Sequence, residues 1–283
     1  VTSSVPAGSA SPPDPPSSDP HARPYTFGTT PTAAQRLALL AALYEPDSRA
    51  LLARWAPRDP TRPPPLAIDL GCGPGHTARL VHEVTGARRT TGVERSPEFA
   101  ALARAEAPEG VEIVEGDVTA EDLPIDPADV VHARFLLTHL SAPARALRGW
   151  GRLLRPDGVL ILVEVARLVS RDTVLGRYYE LVADLQQHHG QALDIGARLG
   201  EIAGGVPGLR VVHSGLRAWN PPTAAMAGLH VLNLRTWRTD RYAAGAFDPD
   251  ELDALDDALL EIARGRPAEP IEQELAEVVL TTA

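Results

Sequence analysis

The 283-residue chain carries 27 basic residues, all of them Arg, against 37 acidic ones, for a formal net charge of -10, and has a single cysteine, Cys72. This balance excludes binding to a polyanion through clustered positive charge, so no nucleic-acid partner is expected. The lone cysteine excludes an intramolecular disulfide, and the absence of Lys excludes both a Walker A phosphate loop and a lysine Schiff base.

Residues 1–24 are rich in Pro and Ser with hardly an apolar side chain, so a disordered tail is expected there. From Tyr25 the pattern changes. Thr30 or Thr32 can cap a helix with Pro31 in its first turn, and Leu37, Leu40 and Tyr44 recur at helical spacing. Pro46 predicts a break before a second short helix around 48–55, and "PRDPTRPPP" ends any helix before the next strand.

That strand opens "LAIDLGCGPGHTARLV", in which Gly71, Gly73 and Gly75 leave a turn with almost no side-chain cover between a buried strand and a helix. Such a loop is built for close approach to a ligand. A dinucleotide fingerprint requires a third glycine at position 76, where His76 stands, so a nicotinamide- or flavin-dependent oxidoreductase is a disfavoured alternative.

Strands and helices then alternate: "RTTGVE" ends in Glu94, "VEIVEGD" in Asp117, "ADVVHA" leads to Arg134, and "GVLILVEVA" follows "RLLRPDG". The alternation predicts a Rossmann-like, doubly wound α/β sheet, whose ligands bind at the carboxyl ends of the strands. Asp69, the glycines, Glu94, Asp117 and Arg134 would meet there. Residues 170–208 read as a helical cap insertion in which Leu175, Tyr178, Val182, Leu185 and His189 form one stripe. Beyond it come a strand "LRVVHSGLRAW", a turn at "NPPT", a helical stretch over 223–243 containing Trp237, a helix opened by Asp248-Pro249, and a last strand "LAEVVLTT". No apolar run approaches the roughly 18 residues of a membrane span, so no membrane partner is expected. The single cysteine and an N-terminus lacking the basic and apolar blocks of a signal peptide give the expectation of a cytoplasmic protein.

The motifs "IDLGCGPG", Glu94 after the following strand, "EGD" at 115–117 and "LLRPDGVLILVE" resemble those of a class I S-adenosylmethionine-dependent methyltransferase, over about residues 65–165. Upstream, "YTFGTTPTAAQRLALL" resembles the N-terminal lid of a bacterial subgroup acting on small molecules and natural products, and "ARFLLTHL" its segment after the fourth strand. The resemblance implies a seven-stranded sheet with an antiparallel last strand, and S-adenosyl-L-methionine as cofactor. It also implies one methyltransferase domain over 25–283, comprising lid helices at 25–60, a cofactor core at 65–165, the cap at 170–208 and C-terminal elements at 209–283.

Residue by residue, the resemblance places Gly71, Gly73 and Gly75 against the cofactor's methionine part, with Asp69 helping to orient its ammonium. Glu94 would bind the ribose hydroxyls, for which an ionised carboxylate supplies acceptors only. Gly116, Asp117 and Val118 would meet the adenine. Tyr25 and Arg36 would close over the site from the lid, Arg36 toward the cofactor carboxylate. Arg134 would sit by the sulfonium end, and His139 would face either cofactor or substrate as a candidate base beside Tyr25.

Tyr178, His189 and Trp237 are candidates for the acceptor pocket, and core packing is the competing reading for each. His188-His189 is a poor metal motif because adjacent helix residues diverge by about 100°, so no metal is expected. The function read here is metal-independent methyl transfer to a small molecule, with C-methylation of an indole-type scaffold as the narrow form. A non-methylating or regulatory protein on the same scaffold is the alternative.

Overall fold

The computed structural model describes residues 29–57 and 65–283. The tail expected at 1–24, Tyr25 and most of the "PRDPTRPPP" segment therefore lie outside the described residues. A seven-stranded sheet runs in the order β3-β2-β1-β4-β5-β7-β6. Its strands are β1 (Leu66–Leu70), β2 (Arg89–Glu94), β3 (Val111–Glu115), β4 (Ala128–Arg134), β5 (Leu154–Ser170), β6 (Leu209–Trp219) and β7 (Ile271–Thr282). The first five pair in parallel, and β7 lies antiparallel between β5 and β6. This is the doubly wound arrangement that the alternation predicts, with the antiparallel last strand that the resemblance implies.

Alternation along the strands sends side chains to two faces. Ala67, Val130, Ile161 and Val163 pack on one face under α1 (Pro31–Trp55) and α2 (His76–Thr85). Ile68, Leu70, Val131 and Leu162 pack on the other face, beneath α4 (Pro143–Gly151), with Trp150 fully buried, and α6 (Gly196–Gly204). Between β2 and β3 runs α3 (Pro97–Ala105), capped by the Ser96 hydroxyl.

A third core stands apart from the sheet faces. It joins α5 (Thr173–His188), α7 (Thr223–Trp237), the short α8 (Ala243–Ala246) and α9 (Pro249–Ala263) to the flank of α1 through Leu39, Leu40 and Leu43. This is the cap. Its base is the far half of β5: β4 ends at the register of Val163, while β5 continues to Ser170 paired with Ile271 of β7. The ribbon so formed rises past the carboxyl edge of the parallel strands and carries the cap over it.

Two expectations are corrected. Pro46 does not separate two helices; it lies inside the single α1, whose buried positions Tyr44, Ser48, Leu51 and Leu52 continue one stripe through it. Loss of one ladder hydrogen bond is outweighed there by continuous burial against the sheet. The fifth strand also starts earlier than "GVLILVEVA", because Leu154 pairs with Ala128 ahead of a register shift around Asp157, whose φ is +65°.

Candidate active site

The glycine loop between β1 and α2 is bare for two physical reasons. Gly71, Gly73 and Gly75 have φ of +66°, +54° and +88°, a region costly for residues with a Cβ. A Cβ on Gly71 would also stand 2.8 Å from a Leu136 methyl, and one on Gly75 would stand 3.0 Å from the Ala103 Cβ. The loop delivers the N-terminus of α2 to the carboxyl edge, with no acidic residue in its first turn. Its positive end therefore faces the cleft.

Glu94, at the end of β2, spans the cleft floor. Its Oε2 accepts from the Gly73 N–H at 2.9 Å and its Oε1 from the Ser96 N–H at 2.7 Å. Burial raises its pKa, opposed by these backbone donors. Each oxygen retains acceptor capacity. The Gly116 N–H donates to the Glu94 carbonyl at 3.0 Å, which brings the β3 loop alongside. In that loop Asp117 Oδ1 accepts from the N–H and hydroxyl of Thr119. Val118 is buried, its carbonyl held by Trp150 Nε1 at 2.9 Å. Glycines, an acceptor carboxylate, a second acid and an apolar side chain thus line one edge. This donor and acceptor set fits S-adenosylmethionine: room at the loop for the methionine part, acceptors for two ribose hydroxyls, and an acid with apolar cover for an adenine.

Asp69 is engaged by the protein itself. Its Oδ2 accepts from the Thr77 hydroxyl at 2.5 Å and its Oδ1 pairs with His132 Nδ1 at 2.7 Å, acid and histidine each 1% exposed. These bonds tie β1, β4 and the first turn of α2 together. The side chain of Arg134 passes under α1, donating to Ser48 Oγ at 2.8 Å and lying 6.0 Å from the Tyr44 ring. Burial brings its pKa down to about 10. With Ala38, His76 and Thr77 it lines a cavity of about 250 Å³ between α1 and α2.

The loop after β4 carries features that sequence reasoning missed. Phe135 has φ of +53°, a strained value for a bulky residue, and meets Tyr44 edge-on at 4.8 Å. Glu164, 1% exposed within β5, accepts from the N–H groups of Leu136 at 2.8 Å and Leu137 at 2.6 Å through Oε1, while its Oε2 is buried without a hydrogen bond. Burial pushes its pKa up to about 8. The signal was an acid inside the apolar run "LILVEVA". The loop continues into the 3-10 turn Leu137–His139. Desolvation, reinforced by Arg36, brings the His139 imidazole down to about 3, so it is neutral at physiological pH.

Arg36 is 4% exposed and donates through Nη1 to Asn233 Oδ1 of α7 at 3.3 Å. The neighbouring Leu37 packs 3.5 Å from a Cβ built on Gly73, so α1 touches the glycine loop and the cap with successive residues. Tyr178 is 2% exposed and stacks on His230 at 4.3 Å, with Trp237 at 6.5 Å. His189 is set apart: it ends α5, and its Nε2 meets Asp240 at 3.1 Å. Among the described residues no group of three His, Cys, Asp or Glu side chains could hold a metal ion, and no helix is long and apolar enough to cross a membrane.

Comparison with known proteins agrees with this geometry. Residues 68–162 match the family model described as a methyltransferase domain. Over 115 residues, 41% of its length, the chain is 36% identical to a trans-aconitate 2-methyltransferase of Azoarcus sp., and the match spans 43% of that protein. An uncharacterized 37.1 kDa protein in transposon TN4556 of Streptomyces fradiae is 37% identical over 108 residues, 36% of this chain and 31% of that one. The chain thus spans less than half the length of the curated relatives it matches. Among solved structures, a phosphoethanolamine N-methyltransferase 2 of Haemonchus contortus in complex with S-adenosyl-L-methionine superposes with a TM-score of 0.53 at 16% identity, covering 88% of this chain and 57% of that one.

Proposed function

We propose that this chain, which carries a class I S-adenosylmethionine-dependent methyltransferase domain, transfers the cofactor's methyl group to a small-molecule acceptor held beneath the α5, α7 and α9 cap. The observation that carries the reading is Glu94, bonded to the Gly73 N–H and placed beside the Gly116 to Val118 loop at one strand edge. When bound, the cofactor supplies an activated sulfonium methyl.

The chain's own residues bind, orient and exclude water. Glu94 would receive the ribose hydroxyls, and Asp117 and Val118 the adenine. Gly71, Gly73 and Gly75 would admit the methionine part. The role given to Tyr25 in closing the site remains part of the proposal. Holding nucleophile and methyl carbon in line, with water excluded by Leu37, Leu136 and the cap, supplies most of the acceleration. His139, neutral and beside Arg36, is a weak base with a pKa near 3, so the proposal gives it a positioning role toward the acceptor.

The narrower reading is a natural-product enzyme of the cytoplasm that methylates an aromatic, indole-type carbon without a metal. Tyr178, stacked on His230 near Trp237, supports an aromatic acceptor, and an electron-rich carbon needs no strong base. The test is release of S-adenosylhomocysteine, read by mass spectrometry over an acceptor library, beside calorimetry with S-adenosylhomocysteine and NAD. Binding of S-adenosylhomocysteine with no turnover across the library would favour a non-methylating protein on this scaffold, and preferential NAD binding would overturn the reading.

A further inference from the structure

A cavity of about 250 Å³ opens between α1 and α2, many times the roughly 10–15 Å³ that admits one water. Neither the loop glycines nor Glu94 line it, so it stands apart from the edge assigned to the cofactor. Its walls are apolar at Ala41 and Ala42 of α1 and Leu80 of α2, and charged at its floor and its mouth.

The floor is positive. Arg134 passes under α1, where its Nη1 donates to Ser48 Oγ at 2.8 Å and its guanidinium lies 5.6 Å from the Phe135 ring. Among the described residues no carboxylate comes within 4.0 Å of it. Asp69, the acid whose charge acts on it most strongly from beyond that distance, is bonded to Thr77 and His132 instead. Burial lowers the Arg134 pKa to about 10, so the group is still a cation at neutral pH. His76 adds a donor. Its Nδ1 stands 2.7 Å from Arg79 Nη2, and because a guanidinium only donates, the ring proton is on Nε2. Burial, then the charges of Arg79 and Arg134, hold its pKa below the ordinary value, which keeps the ring neutral.

The mouth is negative. Glu45 and Glu83 both pair with Arg49, each at 2.9 Å, and their side chains are 51% and 65% exposed. Two acids thus share one cation at the surface, while the cation at the floor has no acid of its own.

This polarity selects a ligand. A plain carboxylate suits the Arg134 fork but is repelled at the mouth, and a plain amine suits the mouth but is repelled at the floor. A dianion brings a second negative charge to the acids at the mouth. A molecule that carries both charges, joined by a short methylene chain against Ala41, Ala42 and Leu80, matches each end. The mouth contributes less than the floor, since its ion pairs are solvated.

We propose that the cavity between α1 and α2 binds a small zwitterion of the amino-acid class, with its carboxylate on Arg134 and His76 and its ammonium toward Glu45 and Glu83. The proposal goes beyond the methyl-transfer reading and does not depend on it. It gives Arg134 a ligand other than the cofactor, and occupancy would join α1, α2 and the end of β4 through one molecule.

The test is calorimetry and ligand-observed NMR on the full chain, with β-alanine, propionate and ethylamine as probes, each with and without saturating S-adenosylhomocysteine. β-Alanine should bind at least threefold more tightly than propionate and at least tenfold more tightly than ethylamine, with or without S-adenosylhomocysteine. Arg134→Met, its folding checked by a thermal melt, should weaken β-alanine at least tenfold. Ala41→Leu narrows the cavity and leaves every charge in place; it should weaken β-alanine as much while keeping the S-adenosylhomocysteine Kd within twofold, and it carries the test where Arg134→Met does not fold. Glu83→Gln, at an exposed position, should abolish the preference for β-alanine over propionate.

No saturable binding of β-alanine would overturn the proposal, as would equal affinity for β-alanine and propionate, or binding retained by a folded Arg134→Met chain. Displacement of β-alanine by S-adenosylhomocysteine would also overturn it, by giving the cavity to the amino-acid end of the cofactor.

Discussion

Glu94 Oε2 accepts the Gly73 N–H at 2.9 Å, so the residue assigned to the cofactor's ribose also holds the glycine loop against the end of β2. The two duties separate on mutation. Glu94→Gln keeps an acceptor for Gly73 but loses the charge, and should weaken S-adenosylhomocysteine by about 1.5–3 kcal/mol, the range for hydrogen bonds to a charged group. Glu94→Ala should add a loss of stability on the order of 1–3 kcal/mol, because two backbone donors lose their partner. Calorimetry beside urea denaturation reads both, and an unchanged affinity in Glu94→Gln would place the carboxylate outside the cofactor site.

Glu164 makes the fold sensitive to pH in a direction opposite to most carboxylates. Its native carboxyl holds its proton from the ordinary value of 4.5 up to about 8, whereas the unfolded chain has released it. Its contribution is therefore complete below about pH 4.5, declines as pH rises through this window, and levels off above about 8. Glu164→Gln, with an amide oxygen still facing the Leu136 and Leu137 N–H groups, should match the parent near pH 5 and exceed it at pH 8.5 by several kcal/mol, on the order of 4, because about three pH units of the window lie between at about 1.4 kcal/mol each. Urea denaturation at both pH values checks this, and parallel curves would refute it.

Legibility followed sequence distance. The strand ending in Glu94, the glycine loop and the β3 loop were readable because each declares itself within a few residues through periodicity and special backbone demands. The bond between α1 and the cap was not, since Arg36 and Asn233 stand 197 positions apart and neither pattern nor propensity links them. Pro46 misled for a related reason: a local breaker was judged without the sheet face that keeps Tyr44, Ser48 and Leu52 buried across it. Asp69 stood out in sequence within the glycine motif, but its commitment to Thr77 and His132 required knowing that β4 lies beside β1.

That commitment predicts a stability effect at a residue inside the glycine motif. Thr77→Val keeps the shape of the first turn of α2 and removes the donor to Asp69, leaving a carboxylate oxygen buried without it. The cost should be about 1–3 kcal/mol, as for an unsatisfied buried acceptor. Affinity for S-adenosylhomocysteine should fall as well, because the loop glycines are no longer anchored to β1. A thermal melt unchanged from the parent would show that the bond carries no net weight.

Trp237 and His189 were both candidates for the acceptor pocket, and their surroundings now separate them. Trp237 is fully buried between Tyr178 and Phe247, the latter edge-on at 5.9 Å, so its ring is part of the packing that holds α7 in the cap. Trp237→Ala should cost about 3–5 kcal/mol, the range for deleting a large buried aromatic. His189 is half-buried and bonded to Asp240, whose other oxygen caps the chain at Tyr242 and Ala243. His189→Ala should therefore cost only about 0.5–1.5 kcal/mol and leave both S-adenosylhomocysteine affinity and turnover near the parent values. Thermal melts and a turnover assay on the two variants decide the matter: a His189→Ala chain that melts with the parent yet turns over tenfold more slowly would move this histidine back into the acceptor pocket.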